Sequence, residues 1–392
     1  MFSSRSSIDL SPNRLALALA RARASRRPIL DLTESNPTGA GIRYDEGAIR
    51  AALAESASLR YAPAPFGIAA ARQAVAQELS LHGAPVDPAR VVLTASTSEA
   101  YAFLFKLLAD PGDEVLVPVP SYPLFEHLAR LESVRAVPYR IAYDGAWHVD
   151  LVSARAAVSS RTRAIIVVNP NNPTGSYVKR DELDALAALG LPIVSDEVFA
   201  RFPLREDRRR CPSVLGAIEE NAAPLAFVLG GLSKLAGLPQ MKLAWIAVAG
   251  ERARVAEALE RLEVIADSFL SVGTPVQLAL GGLLACRGVA EEAIRVRTRA
   301  NVATLHAVVV ASAVSVLDLE GGWYAILRLP RTESEEDWAL ALLEEDGVYV
   351  HPGHFFDFEE EAYIVVSLLT PEATFHEGVS RIVERVRRME VR

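Results

Sequence analysis

The segment GGLSKLAGLPQMKLAW at 230–245 lies between two apolar stretches, AFVLG at 226–230 and AWIAVAG at 244–250. Both stretches predict buried β-strands, so Lys234 follows directly after the end of a strand and is surrounded by leucines. Apolar surroundings lower the pKa of a lysine, because they disfavour its charged ammonium form. Lys234 is therefore a candidate for the neutral amine that forms a Schiff base with a carbonyl compound. A single lysine of this kind is more often a surface residue whose stem packs on apolar neighbours, so the flanking chain has to distinguish the two.

The composition is that of a soluble globular protein with a large core, since 51% of the 392 residues are hydrophobic and 23% are charged. The net charge of −8 argues against nucleic acid as a partner. The longest uncharged run, at 268–286, contains Pro275 and three glycines, so we expect no membrane span and no membrane partner. The two cysteines cannot form a disulfide framework and favour a reducing compartment, so we expect a cytoplasmic protein.

Outward from Lys234, short apolar strands alternate with amphipathic helices. The predicted strands lie at 91–94, 114–120, 134–139, 164–168, 192–196, 226–230 and 244–250. The predicted helices between them lie at 67–82, 96–108, 122–132, 150–158 and 179–189. This alternation predicts an α/β fold with a mostly parallel sheet that is flanked by helices on both faces. Ligands of such sheets bind beyond the carboxyl ends of the strands.

The two ends of the chain predict a second, smaller α+β domain. We assign residues 1–45 to an N-terminal arm and part of the small domain, 46–280 to the large domain, and 281–392 to the small domain. In the last of these, strands are predicted at 313–319, 323–329, 347–350 and 363–368. The first helix is predicted to begin at Ser11-Pro12, a capping residue followed by proline.

Three polar motifs follow the predicted strands and are expected to meet at one cleft. Ser96-Thr97-Ser98 begins a helix, where hydroxyls, amides and the helix dipole favour an anion. NPNNPTG at 169–175 is a polar turn after a buried strand. Asp196 ends another strand, where a buried carboxylate is costly without a cation. Each motif alone also has a simpler interpretation, as an ordinary helix cap or turn.

Taken together, these motifs identify a resemblance. Their order and relative spacing are similar to those of the class I/II pyridoxal-phosphate-dependent aminotransferases of fold type I, from about residue 30 to the C-terminus. The motifs that carry the resemblance are STSEA at 96–100, PSYP at 120–123, NNPTG at 171–175, SDE at 195–197 and SK at 233–234.

The resemblance implies pyridoxal 5'-phosphate (PLP) as cofactor and a role for each motif. Lys234 would be the Schiff-base lysine and the base that moves the proton between the substrate carbon and the cofactor. Asp196 would pair with the protonated pyridine nitrogen, which keeps the cofactor a strong electron sink. Asn172 would hydrogen-bond the 3-oxygen of the ring, and Tyr122 would stack on its face. No metal site is expected.

The remaining cofactor contacts implied by the resemblance surround the phosphate. Ser96, Thr97 and Ser98 would hold this group, together with Lys242 in the place of a usual arginine. Tyr61 resembles the family tyrosine that reaches the phosphate across a subunit interface, which implies a homodimer.

Two departures from the family pattern concern the ring and the substrate. Phe199 stands where a tyrosine usually bonds the ring oxygen. In YIVVSLL at 363–369, alignment on Ser367 places Val365 where the family arginine clamps the substrate α-carboxylate as a bidentate fork. Simple amino acids such as aspartate are therefore expected to be poor substrates. The candidate substrate contacts are Ser35, Arg43, Asn172, Arg328, His351 and His354.

The resemblance predicts an aminotransferase that moves an amino group between an amino donor and a 2-oxo acid. A PLP-dependent lyase or decarboxylase on the same fold is the alternative, since the same residues serve both and the missing arginine favours it. A non-catalytic ligand-binding or regulatory protein that kept the fold is a further alternative.

Overall fold

The structure is a computed structural model that describes residues 2–81, 85–217, 224–360 and 362–390. Its helices, in chain order, are α1 (Arg14–Ala24), α2 (Glu46–Leu53), α3 (Ala69–Ser80), α4 (Thr97–Leu108), α5 (Phe125–Leu131), α6 (Leu151–Ala156), α7 (Arg180–Ala187), α8 (Leu232–Leu235), α9 (Arg252–Asp267), α10 (Thr274–Cys286), α11 (Gly288–Val308), α12 (Glu335–Glu344) and α13 (Glu372–Glu390). Within these described ranges, no helix combines the length and apolar character that crossing a bilayer requires.

The strands form three sheets. In chain order they are β1 (Leu30–Asp31), β2 (Val91–Thr94), β3 (Glu114–Val119), β4 (Arg135–Tyr143), β5 (Trp147–Val149), β6 (Thr162–Val168), β7 (Ile193–Asp196), β8 (Ala226–Gly231), β9 (Ala244–Ala249), β10 (Ser315–Val316), β11 (Tyr324–Arg328), β12 (Val348–Tyr349), β13 (His351–Pro352) and β14 (Tyr363–Ser367).

The largest sheet has eight strands in the order β2-β9-β8-β7-β6-β3-β4-β5. The strands β8, β7, β6, β3 and β4 run parallel to one another, whereas β9 is antiparallel to both of its neighbours and β5 to β4. This arrangement confirms the predicted α/β class with a mostly parallel sheet.

Both faces of this sheet are covered, which explains why its strands are apolar throughout. Ile166 and Phe227 pack with α4 and α9 on one face, whereas Ile165 and Val228 pack with α7 on the other. Neighbouring residues of a strand point to opposite faces, so a strand buried on both sides shows no polar alternation.

The smaller body combines the two ends of the chain. Its four-stranded antiparallel sheet has the order β10-β11-β14-β13, and β1 pairs in parallel with β12. Leu15 and Leu32 from the N-terminal segment share one hydrophobic core with Trp338 and Phe375.

The division at residue 280 stays a prediction. It falls inside α10, a helix whose buried Leu280 and Leu283 pack with Val75 and Trp245 on the large-sheet side.

Two local predictions were wrong. The first helix is capped by Asn13, which accepts a hydrogen bond from the Ala16 amide at 2.7 Å, and not by Ser11, whose own amide donates to Asp9. The strand predicted at 313–319 is reduced to β10, because the chain then turns so that Glu320 can pair with Lys179 at 2.6 Å.

Candidate active site

A cavity of about 360 Å³ lies beyond the carboxyl ends of β6, β7 and β8. These three strands are parallel neighbours, so the residues that follow them meet at one edge of the sheet. The cavity is lined by many of the residues that the sequence singled out, namely Ser35, Thr97, Ser98, Tyr122, Asn172, Asp196, Phe199, Lys234 and His351.

Lys234 lies on α8, a single turn that directly follows β8. Its two helical neighbours Leu232 and Leu235 are buried, and its Nζ is 5.1 Å from the ring centroid of Trp323 and 5.6 Å from that of Phe199. Burial lowers the pKa of the Lys234 ammonium, while the charge of Asp196 opposes this shift. No described carboxylate lies within ion-pair distance of Nζ. The surroundings therefore favour a neutral amine that is held between aromatic rings.

Asp196 is the last residue of β7, and the residue as a whole is only 9% exposed. It accepts hydrogen bonds from the Tyr101 hydroxyl at 3.1 Å and from the Val198 amide at 3.2 Å. Burial raises the pKa of Asp196 to about 6, although both hydrogen bonds and Lys234 act in the opposite direction. A cation brought next to this carboxylate would relieve the cost of its burial.

The raised pKa of Asp196 makes the stability of the ligand-free protein depend on pH. Because the folded-state pKa of about 6 exceeds the ordinary 3.8, the folded chain binds a proton that the unfolded chain has released, and stability falls as pH rises through that window. Asp196→Asn should remove this loss and raise the free energy of unfolding above pH 7 by about 3 kcal/mol, with no gain below pH 4. Urea unfolding at the two pH values measures the difference.

Asp113, a carboxylate whose pKa is lowered rather than raised, provides the control for this prediction. Asp113 accepts hydrogen bonds from Arg163 at 2.7 and 3.1 Å, which hold its pKa below the ordinary value. Asp113→Asn should therefore lower stability at neutral pH and have less effect as pH falls. A neutral-pH loss of stability in Asp196→Asn as well would contradict the cost assigned to the buried charge.

The asparagines of the segment 169–175 have different environments. Asn169 donates to the Cys211 carbonyl at 2.9 Å, and Asn171 donates to the Pro120 carbonyl at 2.9 Å, so both hold the loop in place. Asn172 lines the cavity, and its Oδ1 is buried without a hydrogen-bond partner among the described residues. Buried polar atoms are almost always paired, so this oxygen indicates a ligand contact.

The N-terminus of α4 separates the three predicted hydroxyl residues. Ser96 caps the helix, because its Oγ accepts a hydrogen bond from the Glu99 amide at 3.1 Å, and it is not among the described residues that line the cavity. Thr97 and Ser98 do line it. A helix N-terminus with two hydroxyls suits an anion such as a phosphate group.

The remaining predicted residues are not among those that line the cavity in the described chain. Tyr61 is 81% exposed, and Lys242 and Arg43 are exposed as well. Tyr324 and Arg328 are the first and last residues of β11, so the exposed Arg328 lies about 13 Å from Tyr324 along the strand. The exposed His354 has its Nδ1 3.6 Å from Glu335. Arg328, Arg43 and His354 are thus not among the described residues that line the cavity, and their substrate roles stay predictions.

The structure adds residues that sequence reasoning missed. Tyr101 bonds Asp196 from the second turn of α4, and Tyr324 lines the cavity beside Ser35. Burial raises the pKa of Tyr324 to about 12, while a hydrogen bond with Ser35 opposes the shift. The backbone next to Ser35 is fixed by a hydrogen bond, in which the Glu34 carbonyl accepts from Ser367 Oγ at 2.6 Å. Spacing from Ser96 was the only signal in the sequence for Tyr101.

The chain is similar to aminotransferases over nearly its whole length. A family model described as "Aminotransferase class I and II" matches residues 27–382. The chain is 30% identical over 230 residues to the glutamate–pyruvate aminotransferase AlaA of Escherichia coli, a match that covers 55% of this chain and 54% of that protein. It is 26% identical over 337 residues to human tyrosine aminotransferase, which covers 83% and 72% of the two chains.

Among solved structures, an alanine aminotransferase from Pyrococcus furiosus superimposes with a TM-score of 0.87 at 23% identity and covers 99% of this chain and all of that one. The chain spans about half the length of the first curated relatives that it matches. The family model, however, covers far more than half of this chain. The chain therefore belongs to the aminotransferase class I and II family.

Proposed function

We propose that the protein is a PLP-dependent aminotransferase that moves an amino group between an amino donor and a 2-oxo acid, with Lys234 as the residue that holds the cofactor as a Schiff base. The observation that carries this proposal is that a desolvated lysine amine and a buried carboxylate face one cavity in a chain of this family. PLP is the cofactor of the family, and when bound it supplies an aldehyde and an electron sink for the substrate carbanion.

The residues of the cavity fit this cofactor. Asp196 is a buried carboxylate that makes no ion pair with a described residue, and a protonated pyridine nitrogen would provide one. Asn172 would donate to the ring 3-oxygen through its Nδ2, and its buried Oδ1, which has no partner among the described residues, supports a ligand donor next to it. Thr97 and Ser98 offer hydroxyls at a helix N-terminus for the phosphate. Ser96 would contribute through its cap, by fixing where that helix begins.

The chain's own contribution to proton transfer comes from Lys234. Its lowered pKa leaves Nζ able to take up the proton of the substrate carbon and to return it. Trp323 and Phe199 pack beside Nζ and keep water from solvating it. Tyr122, which lines the cavity and is 46% exposed, would cover one face of the ring.

We further propose a homodimer in which Tyr61 and Lys242 complete the phosphate site. Both side chains are exposed in the single chain, and Leu59, two residues before Tyr61 at the end of a short 3-10 helix, is 93% exposed. Exposed apolar side chains of this kind favour burial against a second copy. Lys242 would supply a compact charge rather than the fork of an arginine.

We also place the enzyme in the cytoplasm. Cys211 and Cys286 form no disulfide, and the buried Cys211 thiol has a pKa raised by burial to about 12, so it is unreactive. Unpaired cysteines are usual in a reducing compartment.

A PLP-dependent lyase or decarboxylase is the second candidate. Val365 is fully buried in the hydrophobic core between the two sheets, so it offers the substrate carboxylate no charge. Elimination and decarboxylation would use the same lysine and aspartate.

A visible spectrum of the purified protein with added PLP, scanned against a panel of amino donors, tests the proposal. The panel should include amines without an α-carboxylate. Formation of the imine band, followed by its conversion to the pyridoxamine form by a donor, would establish transamination. An imine band that no donor converts, with release of ammonia or carbon dioxide, would favour the second candidate. Absence of the band would contradict both.

Aspartate is expected to be a poor donor, on the order of 100-fold slower than the best uncharged donor of the panel, because the described cavity residues offer its two carboxylates no free cation. Single-turnover conversion of the cofactor measures this rate. Rapid conversion by aspartate would show that an arginine or lysine reaches the site from elsewhere.

A further inference from the structure

The charges that line the cavity are few. Among its described lining residues, Lys234 is the only lysine or arginine and Asp196 is the only carboxylate. If the function proposed above holds, both of them serve the cofactor. A substrate group that enters the cavity therefore meets no free cation from this subunit, and a carboxylate there must rely on uncharged donors.

The walls of the substrate side are aromatic. Besides Tyr122, which is assigned to the cofactor ring, Tyr324, Phe355 and Phe356 line the cavity. Aromatic side chains provide large apolar contact areas and favour an aromatic or apolar group of the substrate. The amino donor should therefore carry such a group beyond its amine.

His351 adds an imidazole to these aromatic walls. Its ring centroid lies 5.8 Å from that of Phe355, 6.0 Å from that of Phe356 and 5.9 Å from that of Tyr349. Its Nδ1 is buried and has no hydrogen-bond partner among the described residues. A buried imidazole nitrogen without a partner is costly, so it indicates a hydrogen bond that a ligand completes.

The strand register explains how this imidazole reaches the substrate side. His351 on β13 is paired with Val365 on β14, and Val365 is paired with Ile326 on β11. Directly paired residues of antiparallel strands lie on the same face of the sheet, so these three side chains share one face with Tyr324. The two other positions of this row are apolar, and His351 is the one that offers hydrogen bonds.

The surroundings of His351 favour the neutral imidazole. Burial lowers the pKa of His351 below its ordinary value of 6.5, and the charge of Asp31 only partly opposes this shift. A neutral imidazole has one donor and one acceptor and no net charge. It can bond a carboxylate through its N–H, and a carboxamide through either nitrogen.

We propose that His351 is the specificity-determining residue for the amino donor, and that it recognises the donor's carboxyl-derived group by hydrogen bonding rather than by charge. The donors are aromatic or apolar amino compounds, and an uncharged carboxamide is accepted about as well as a carboxylate. This proposal rests on the aminotransferase function. The expected preference differs from that of a site with an arginine, which would strongly prefer the carboxylate over the carboxamide.

The test compares matched compounds on the PLP-loaded wild-type enzyme. We expect L-phenylalanine and L-phenylalaninamide to have kcat/KM values within about tenfold of each other, because no ion pair is lost with the charge. As a readout independent of turnover, 3-phenylpropionate and 3-phenylpropanamide should bind with Kd values within the same factor by calorimetry. A preference for the carboxylate of 100-fold or more, in either measurement, would overturn the proposal.

One charged and one neutral variant test His351 itself. His351→Arg adds a fixed charge and should shift both ratios toward the carboxylate by on the order of 100-fold. His351→Gln stays neutral, keeps a donor and an acceptor, and should leave both ratios near the wild-type values. Unchanged ratios in His351→Arg, with the cofactor spectrum intact, would overturn the assignment; if that variant fails to fold, the wild-type comparison decides alone.

The two proposals fail in different ways. If neither donor nor any other in the panel converts the cofactor, the aminotransferase function is wrong and the donor assignment falls with it. If L-phenylalanine reacts and its amide does not, the function stands and the role of His351 is overturned.

Discussion

Lys234→Ala is expected to abolish covalent binding of PLP and to lower turnover by on the order of 10⁴-fold, the upper range for loss of one acid–base group. The reason is that no other described cavity residue carries an amine, so the variant loses both the imine-forming group and the proton carrier. The surroundings of Trp323 and Phe199 should remain, since the side chain of Lys234 makes no ion pair with a described carboxylate. The imine absorption band and the rate of half-transamination measure the two losses.

Two matched variants make this prediction specific. Lys106→Ala removes a lysine from α4 whose Nζ pairs with Glu132 at 2.7 Å outside the cavity, and it should leave both readouts near the wild-type values. Lys234→Arg keeps a cation but has no amine that can form an imine, so it should fail like the alanine variant. Added methylamine should partly restore proton transfer to Lys234→Ala. Near-normal transamination by Lys234→Ala would refute the role of this residue.

The arrangement of the strands explains how much of the site could be predicted from the sequence. Asp196, Asn172 and Lys234 each follow a parallel strand, and the carboxyl ends of parallel strands lie at one edge of a sheet. Their convergence therefore follows from chain order and from the apolar strands alone. The same argument holds for the α/β class, because strands buried on both faces read as continuous apolar runs.

Other features depend on contacts that no local pattern specifies. Ser96 Oγ caps its own helix by accepting from the Glu99 amide, but a serine that faces the cavity at a helix start would have the same sequence signal. Tyr324 and His351 reach the cavity only because the small sheet packs against the large one, through contacts between residues far apart in the chain. Arg328 lies four residues after Tyr324, and His354 three residues after His351. Both are exposed, and neither is among the described residues that line the cavity.

Asp196→Ala is expected to retain part of the cofactor but to lower turnover by about 10³-fold. Loss of one group that stabilises charge in the transition state, in a site without water, lowers the rate by this order. Lys234 would still attach PLP, so the imine band should remain. The variant lacks the carboxylate that would hold the pyridine nitrogen protonated, and the electron sink is weaker without that proton. Asp196→Glu, which keeps the charge, should recover more activity than Asp196→Asn, which keeps the shape.

The neighbouring Glu197 provides the control for burial. It is a partly buried carboxylate whose pKa desolvation raises to about 7. It accepts hydrogen bonds from Ser195 Oγ at 2.9 Å and from the Val214 amide at 2.8 Å, and it is not among the described residues that line the cavity. Glu197→Gln removes a partly buried charge one residue away and should leave turnover within about tenfold of the wild type. If it lowered turnover as strongly as Asp196→Ala, the loss would reflect disturbance of β7 rather than the charge. Near-normal turnover by Asp196→Ala would instead mean that the pyridine nitrogen needs no carboxylate here, since no other described carboxylate lines the cavity.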